Sequence, residues 1–302
     1  MRTFAPREYV MTPKRLHIAI QKSGRLAERS LDLIGSAGYR LTKSASDLAY
    51  SAENAPIDLW CLRDDDIPTF VADGVADLGI VGRNVLAERA AGGGNGLHEV
   101  MPLGFGRCRL AIATPAGFDY RGPQSLRGLR IATTYPNLLK RFLAEAGVDA
   151  SIVTMRGAVE VAPRLKLADA ICDLVSTGAT LEANGLVAQT TVLQSEAVLV
   201  RATRSVDPEL ERVADSLLSR FRGVVASQGA KYVMMNAPSS ALARITEILP
   251  GAGAPTVMTL AGREDLVAVH AVCQESVFWE TLEALKEAGA SAILVLPIEK
   301  MM

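Results

Sequence analysis

The sequence predicts an α/β protein of two lobes followed by a smaller domain with ferredoxin-like βαββαβ order. Short apolar runs typical of buried strands alternate with helical segments, and two similar strands are placed to lead out of the first lobe and back. Buried strands that alternate with helices favour a mostly parallel sheet covered on both faces. With 302 residues, the chain is long enough for two or three domains.

The first lobe is predicted from three strands and two helices. Strands are expected at residues 16–20, 57–62 and 78–82, and helices at about residues 26–37 and 67–73. Gly38 follows the first helix, where glycine commonly ends a helix. The glycine-rich residues 92–96 are expected to form a flexible loop.

The second lobe is predicted to begin near Arg109. Strands are expected at residues 110–114, 130–134, 151–155 and 170–175, with a helix at about 137–146 and a short helix near Leu181. Residues 197–201 resemble residues 110–114, so these two strands would carry the chain between the lobes. We therefore predict lobe I at residues 1–108 with 200–223, and lobe II at residues 109–199. Two lobes joined by two crossovers leave a cleft between them. This is the type II periplasmic-binding-protein-like arrangement.

The last part of the chain has a different order of elements. After a helix at about residues 208–222, strands are expected at 231–235, 257–260, 267–272 and 292–297, with helices at 239–249 and 276–288. This βαββαβ order predicts a separate ferredoxin-like domain over residues 224–302.

Composition and charge exclude several classes of partner. The net charge of −1 gives no electrostatic reason to expect nucleic acid or an anionic membrane as a partner. No apolar run reaches the length of about 18 residues that a membrane span needs. Residues 1–15 lack the apolar segment of a secretory signal, and the four cysteines are far apart. We expect a cytoplasmic protein with reduced thiols.

A turn rich in hydroxyl groups is the most informative stretch of the sequence. It follows the apolar strand at 170–175 and comprises Asp173, Ser176, Thr177, Gly178, Ala179 and Thr180. Glycine lets the backbone approach a ligand closely, and amides at a helix N-terminus favour an anion. Amides that hold a phosphate, beside a carboxylate that accepts ribose hydroxyls, would suit a phosphorylated sugar. The alternative is an ordinary strand–turn–helix corner with Thr180 as the N-cap.

Other predicted strand ends carry cations, hydroxyls and an aromatic ring. The residues concerned are Gln21, Lys22, Ser23, Gly24, Arg25, Arg63, Gly82, Thr133, Thr134 and Tyr135. Lysine and arginine suit polyphosphate, and Tyr135 could stack on a base. Ligands bind at the carboxyl ends of strands in open α/β sheets. The alternatives are solvated charges at helix starts and a packed loop tyrosine; Asp65 and Asp66 fit a helix dipole.

Motifs of several enzyme classes do not occur. The sequence contains no Walker A loop, no GxGxxG and no HExxH, and its three histidines, His17, His98 and His270, are scattered. No nucleophile stands in a recognisable relation to a base.

Taken together, six segments resemble one family. Residues 21–26, 62–68, 77–82, 159–164, 168–186 and 294–301 resemble the long form of ATP phosphoribosyltransferase, the first enzyme of histidine biosynthesis. The resemblance runs from about Leu16 to the end of the chain. Arg156 stands where this family would lead us to expect a small or polar residue.

The resemblance implies a reaction and its binding sites. The family transfers phosphoribosyl from phosphoribosyl pyrophosphate (PRPP) to N1 of ATP, releasing pyrophosphate with Mg²⁺. The turn from Asp173 to Thr180, with Glu160 and Asp169, would bind PRPP, and the other strand-end residues would bind ATP or pyrophosphate. We expect no essential general base, because adenine N1 already carries a free lone pair.

The resemblance also implies regulation by the terminal domain. An ACT-like domain of this kind implies feedback inhibition by histidine and a homo-oligomer that changes between dimer and hexamer. Candidates for the histidine site come from strand ends and helix starts of that domain: Thr256, Met258, Leu260, Ser276 and Ala292.

Two other functions remain open at the sequence level. One is a two-lobed sensor or solute-binding module without catalysis, which would require only the cleft. The other is a phosphoribosyltransferase that uses a different base.

Overall fold

A computed structural model describes residues 14–44, 48–94, 96–204, 207–251 and 253–301. The chain divides into two compact units, Met1–Asp215 and Ser216–Met302. We refer to them as the N-terminal unit and the C-terminal unit.

Within the described residues, the N-terminal unit contains twelve strands, and most of its helices are short. In chain order they are β1 (Leu16–Gln21), α1 (Arg25–Ser36), β2 (Leu41–Lys43), β3 (Ala49–Ala52), β4 (Ile57–Leu62), α2 (Ile67–Ala72), β5 (Leu78–Gly82), α3 (Arg83–Ala91), β6 (Leu97–Pro102), β7 (Cys108–Pro115), β8 (Arg130–Thr133), α4 (Pro136–Glu145), β9 (Ser151–Thr154), β10 (Ala170–Val175), α5 (Ala179–Ala183), β11 (Leu186–Ser195) and β12 (Ala197–Ala202). The helix α6 (Pro208–Ala226) contains the division between the units.

Lobe I is built on a seven-stranded sheet in the order β2-β3-β4-β1-β5-β12-β6. Only its centre is parallel, where β1 pairs with β4 and β5; the flanking pairs are antiparallel. The expectation of a mostly parallel sheet is corrected here. Strands β2 and β3 form a meander into β4, and β12 returns from the other lobe against the direction of β5.

Lobe II is built on a five-stranded sheet in the order β11-β7-β10-β8-β9. Strands β8, β9 and β10 are parallel, whereas β7 and β11 run antiparallel to their neighbours. The chain enters this sheet along β7 and leaves it along β11. The return to lobe I falls between Ser195 and Ala197, before residue 200 where the sequence placed it.

Consecutive buried residues explain why the central strands are inside. All but His17 and Gln21 in β1 are buried, and the first four residues of β5 are buried. In lobe II the buried residues of α4, Leu138, Leu139 and Leu143, pack against the sheet with Ile131. The predicted two-lobed α/β fold is confirmed.

The C-terminal unit follows the predicted βαββαβ order. Its elements are β13 (Ala230–Pro238), α7 (Leu242–Ile248), β14 (Thr256–Leu260), β15 (Arg263–Gln274), α8 (Glu275–Glu287) and β16 (Ser291–Pro297). The four strands form an antiparallel sheet in the order β14-β15-β13-β16. One face carries Val233 and Met235, which pack against Ile245 of α7 and Phe278 and Leu285 of α8.

The helices of the structure do not meet the requirements of a membrane span. Within the described residues, none combines the length and the apolar character needed to cross a bilayer.

Candidate active site

A cleft of about 1230 Å³ lies between the two lobes of the N-terminal unit. Lobe I contributes the turn after β4 and the helix α3, and lobe II contributes the ends of β8 and β9. The lining residues are Arg63, Asp65, Asp66, Pro68, Val85, Glu88, Arg89, Gly92, Gly93, Gly94, Thr134, Tyr135, Pro136, Asn137, Thr154, Met155, Arg156 and Gly157. The cleft therefore opens where parallel strands end, as expected for an open α/β sheet.

Three arginines from different segments line the cleft. Arg63 follows β4, Arg89 belongs to α3, and Arg156 follows β9. The Nε atom of Arg89 is buried without a hydrogen-bond partner in the described residues, although Nη1 donates to Thr69 Oγ1 at 3.0 Å. Guanidinium groups on both lobes make the cleft suitable for a polyanion.

Tyr135 lies half-buried between the lobes. Its hydroxyl accepts a hydrogen bond from Asn84 Nδ2 of lobe I at 2.8 Å, and its backbone N–H donates to Thr133 Oγ1 at 2.9 Å. Burial, followed by the charges of Asp64 and Asp173, raises the pKa of the Tyr135 hydroxyl. The side chain is a fixed, neutral aromatic wall of the cleft.

Thr133 has a structural position and does not line the cleft. It is fully buried, and its hydroxyl donates to the carbonyl oxygen of Cys172 at 2.7 Å. Its hydroxyl thus ties β8 to β10 and orients Tyr135, while Thr134 does line the cleft. We therefore leave Thr133 out of the ligand contacts that the sequence suggested.

Partly buried carboxyl groups flank Tyr135. Burial, with a smaller contribution from Asp65, raises the pKa of Asp64 to about 6, and Oδ1 of Asp64 is buried without a hydrogen-bond partner in the described residues. Burial also raises the pKa of Asp173, and the charge of Glu160 raises it further. Asp173 and Glu160 thus lie close enough to interact electrostatically, as a shared ribose site would require.

The loop from Ser176 to Thr180 leads into the short helix that the sequence predicted near Leu181, which begins at Ala179. Gly178 has φ of 91° and directly precedes α5, and Thr180 lies inside that helix and does not cap it. A positive φ of this size strains residues other than glycine. Because α5 has only five residues, its dipole adds little, and loop amides and hydroxyls must supply an anion site.

Ser176 also lines a second, smaller pocket of about 310 Å³. Its cationic members are Arg83, Arg107 and Arg109. Arg83 is already engaged, because its guanidinium contacts Glu99 at 2.8 Å and Glu196 at 3.1 Å. Within the described residues, none of the loop from Asp173 to Thr180 lines the larger cleft.

The predicted cationic segment after β1 is exposed at the carboxyl end of that strand. Lys22, Ser23, Gly24 and Arg25 are all exposed, and Gly24 takes φ of 89° just before α1. Gln21 ends β1 and pairs with Leu62, the residue before Arg63. The two segments thus emerge side by side, although residues 21–25 do not themselves line the cleft as described.

The side chain of Asn84 explains why residue 82 is a glycine. A Cβ atom at this position would lie 2.2 Å from Asn84 Oδ1, so a larger residue would displace the Asn84 side chain. The glycine makes room for the contact between Asn84 and Tyr135.

Asp169 lies at the opposite end of strand β10 from the loop that follows Val175. It precedes β10, about 20 Å along that strand from Val175 at strand spacing. Its carboxylate contacts the guanidinium of Arg130 at 2.8 Å and accepts the Arg130 backbone N–H at 2.9 Å. The assignment of Asp169 to PRPP binding is therefore corrected, because the residue joins the starts of β8 and β10.

The histidine-site candidates do not converge within the C-terminal unit. Thr256, Met258 and Leu260 lie on β14, and Ala292 lies on β16 at the other edge of the sheet. Three strand spacings separate these edges, which is about 14 Å. Ser276 lies in the first turn of α8. One chain therefore cannot bring all five around a single amino acid.

The described residues contain no group of three or more histidine, cysteine, aspartate or glutamate side chains placed to hold a metal ion. Mg²⁺ characteristically keeps several waters and is bound by one or two carboxylates together with substrate phosphates. The carboxylates of Asp173 and Glu160 fit that mode of binding.

The fold and the cleft define a two-lobed α/β protein whose cleft carries arginines suited to an anionic ligand. Family models match residues 63–223 as "ATP phosphoribosyltransferase" and residues 227–300 as "HisG, C-terminal domain". An ATP phosphoribosyltransferase from Maricaulis maris is 54% identical over 290 residues, covering 95% of this chain and 99% of the relative.

The chain also aligns with solved structures, and one of them, from a relative, supports the fold of the two lobes. An ATP phosphoribosyl transferase (HisG:HisZ) complex from Thermotoga maritima aligns with a TM-score of 0.57 at 28% identity, over 68% of this chain and 98% of that one. The aliphatic sulphonate binding protein SsuA from Escherichia coli aligns with a TM-score of 0.46 at 18% identity, over 72% and 75% of the chains. The chain belongs to the ATP phosphoribosyltransferase family, and the sensor alternative is not favoured.

Besides Arg156, which follows β9, three polar residues of one helix at the site were missed at the sequence level: Asn84, Glu88 and Arg89. All belong to α3, a helix that the sequence analysis did not predict. Only Asn84 and Val85 of this helix are buried, so its apolar residues give no clear stripe. The short span between Gly82 and Gly92 was the remaining signal for a helix.

Proposed function

We propose that the cleft aligns ATP with PRPP for transfer of phosphoribosyl to N1 of adenine. PRPP is assigned to Asp173, Glu160 and the loop from Ser176 to Thr180, and ATP and pyrophosphate to the arginines of the cleft with Tyr135. Gln21, Lys22, Ser23, Gly24 and Arg25 are assigned to the polyphosphate end, next to Arg63. The observation that carries the proposal is a polyanion-sized cleft with arginines on both lobes and a fixed tyrosine between them.

The chemistry demands alignment and charge stabilisation more than proton transfer. Adenine N1 has a free lone pair, whereas the barrier lies in separating pyrophosphate from an oxocarbenium-like ribose. Fixed cations near the departing charge and a fixed reacting geometry lower that barrier. Mg²⁺ bound with pyrophosphate would neutralise the leaving group. Asp173 and Glu160 would hold this ion together with the substrate oxygens.

A direct assay distinguishes this function from the alternatives. The expected result is pyrophosphate release that requires both ATP and PRPP, together with an absorbance change from N1-ribosylated adenine. Release with another base but not with ATP would contradict the proposal. Binding of either ligand without release would indicate a sensor.

The absence of an essential general base is tested at Glu160. We expect Glu160→Gln to lower turnover by far less than about 10³-fold at saturating substrates, since a required proton-transfer group contributes about 10²–10⁴-fold. A loss above about 10³-fold with unchanged substrate binding would assign proton transfer to Glu160.

We further propose a homo-oligomer, dimer or hexamer, that histidine inhibits through the C-terminal unit. Leu294 and Leu296 of β16 are 51% and 47% exposed on the sheet face opposite the buried Val233, and Met258 of β14 is exposed at the other edge. Apolar side chains left open in this way suit a partner surface. The candidate residues for the histidine-binding site lie at opposite edges of the sheet, which suits a site shared between two copies of the chain. The Thermotoga maritima relative was solved as a complex, which is consistent with assembly.

Histidine titration of the initial rate tests the regulatory part. We expect inhibition to weaken at least about tenfold in Met258→Glu while the uninhibited rate stays within about twofold. Inhibition that persists unchanged would move the site away from β14. A cytoplasmic location is part of the same proposal, since both substrates are intracellular nucleotides or sugar phosphates.

A further inference from the structure

We propose that Glu88 is a positioning residue that holds the two lobes in register around the cleft. The proposal rests on the assignment of ATP to this cleft. Glu88 belongs to α3 of lobe I, and its partners belong to α4 of lobe II.

The carboxylate of Glu88 accepts two hydrogen bonds from the start of α4. Oε1 accepts the backbone N–H of Asn137 at 2.8 Å, and Oε2 accepts the backbone N–H of Leu138 at 2.8 Å. These N–H groups lie in the first turn, where a helix offers no carbonyl partner of its own. A carboxylate at this end also complements the helix dipole. Both oxygens of Glu88 are thus used in a contact between the lobes.

Asn84 extends the same contact along one face of α3. Residues four apart in a helix lie on the same face, and both of these contact the second lobe. The side chain of Asn84 donates to the Tyr135 hydroxyl at 2.8 Å and accepts the hydroxyl proton of Ser195 at 2.8 Å. The backbone N–H of Asn84 donates to Ser195 Oγ at 3.0 Å. One face of α3 therefore connects to both the cleft and the crossover into lobe I.

The position of Tyr135 follows from these contacts. Tyr135 is the residue directly before α4, so Glu88 fixes the helix start on one side of it and Asn84 fixes its hydroxyl. The Asn137 and Leu138 amides are occupied by Glu88, so phosphates of a bound nucleotide must contact the arginines instead. Glu88 thereby sets both the lobe alignment and the direction of the triphosphate.

This role predicts a change in ATP affinity without a change in chemistry. A ligand that bridges both lobes binds only the aligned arrangement, so its apparent dissociation constant rises by the inverse of the aligned fraction. If that fraction falls to about one tenth, the KM for ATP rises about tenfold, while saturating ATP restores the alignment and kcat. The ribose and 5′-phosphate of PRPP are assigned to lobe II and only its pyrophosphate to the arginines, so the KM for PRPP is expected to change far less.

Glu88→Gln tests the proposal with little change in shape. The amide oxygen of glutamine can accept a hydrogen bond from one of the two N–H groups. Its NH₂ group is a donor, so the other N–H group loses its acceptor. Glu145→Gln is the matched control, because Glu145 lies at the far end of α4, is exposed, and within the described residues forms an ion pair with Arg141 at 3.8 Å. We expect a rise of about tenfold in KM for ATP in Glu88→Gln, with kcat within about threefold and the KM for PRPP within about twofold. Glu145→Gln is expected to match the wild type within about twofold.

Hydrogen exchange supplies a readout that does not depend on the substrate assignment. In the ligand-free protein, amides at the start of α4 should exchange at least about tenfold faster in Glu88→Gln than in the wild type. Glu88→Asp, which keeps the charge, serves if Glu88→Gln does not fold, with the same direction expected.

Two results would overturn the proposal. Unchanged exchange at the start of α4 would mean that Glu88 does not hold the helix, and faster exchange with an unchanged KM for ATP would mean that the contact does not position the cleft. A fall in kcat at unchanged KM would place Glu88 in the chemical step instead. If the wild type released no pyrophosphate, the proposed function would be wrong. The hydrogen-exchange result would still show whether Glu88 holds the start of α4.

Discussion

The central strands of the lobes and the strands of the C-terminal unit differ in how they are buried. In β1 and β5 buried residues follow one another, so both faces of the sheet are covered. In β13 the buried residues Val233, Met235 and Ala237 alternate with partly exposed ones, and β14 and β16 are exposed along most of their length. A sheet covered twice can act only at its strand ends, whereas a sheet covered once keeps a face for another molecule. Catalysis and assembly are thereby assigned to different surfaces.

The largest effect is expected at a strand end of lobe II. Gly178→Val should lower kcat/KM for PRPP by about 100-fold, because a β-branched residue cannot keep φ at 91° without strain and the loop must rearrange. Steady-state kinetics with PRPP as the varied substrate measures this.

Gly185→Val is the control for that substitution. Gly185 has φ of 68° at the far end of α5 and likewise has no atom within 4 Å of an added Cβ. Both variants should lose about 1–2 kcal/mol of unfolding free energy, but Gly185→Val should keep kcat/KM within about threefold. Equal losses of activity would remove the loop from the PRPP site.

Two register partners in the C-terminal unit sharpen the contrast between its covered core and its edge. Val233 of β13 is fully buried, and Val295, opposite it on β16, is 38% exposed. Val233→Ala should cost about 2 kcal/mol, since it removes buried methyl groups and leaves a cavity. Val295→Ala should cost less than about 0.5 kcal/mol. Chemical denaturation of both variants measures the difference, and equal costs would mean that the edge is covered in solution.

The open face is tested by adding charge. The double variant Leu294→Lys and Leu296→Lys should weaken self-association at least about tenfold, because it places two charges where apolar contact is expected. Sedimentation velocity over a range of concentrations measures the change. Trp279→Lys, on α8 and 65% exposed, is the comparison. An equal loss of assembly in Trp279→Lys would contradict the claim that copies associate through the open sheet face.

The last prediction concerns Asp64, a partly buried carboxyl beside the cleft. Burial raises the folded-state pKa of Asp64 to about 6, above an unfolded value of about 3.9. The folded state therefore binds the proton more tightly, and the favourable contribution is complete below about pH 4 and lost as the pH rises through 6. Asp64→Asn removes this dependence, so its stability relative to the wild type should increase by up to about 3 kcal/mol between pH 4 and pH 7.

A residue with the opposite shift provides the control for the pH series. The guanidinium of Arg201 holds the pKa of Glu211 below its usual value. Glu211→Gln should therefore lose stability relative to the wild type as the pH rises through the lowered folded-state pKa towards about 4.3, with no further change above that pH, opposite in sign to Asp64→Asn. Urea denaturation at several pH values measures both, and the same sign in both would contradict the assignment of Asp64.

Residues with a strong local pattern were predictable from the sequence. The strand at Ile57–Leu62 has the predicted bounds, because an uninterrupted apolar run between turn residues has few other solutions. The βαββαβ order was equally readable from residue 230 onwards. Tyr135 and Arg63 were found as cleft residues because each follows a predicted strand.

Features that depend on contacts across the fold were not predictable. Strand β11 was missed because register shifts between Ala188 and Leu193 disturb its alternation. Thr133 and Asp169 were assigned to ligands, although the first binds the Cys172 carbonyl and the second binds Arg130. No spacing rule in the sequence shows that a polar side chain already has a protein partner.

The most direct test of the central claim is a crystal structure with PRPP and a non-reactive ATP analogue bound. The account predicts the 5′-phosphate of PRPP at the amides around Gly178, the adenine against Tyr135, and the triphosphate among Arg63, Arg89 and Arg156. A 5′-phosphate bound away from that loop, or a nucleotide bound outside the cleft, would contradict the account.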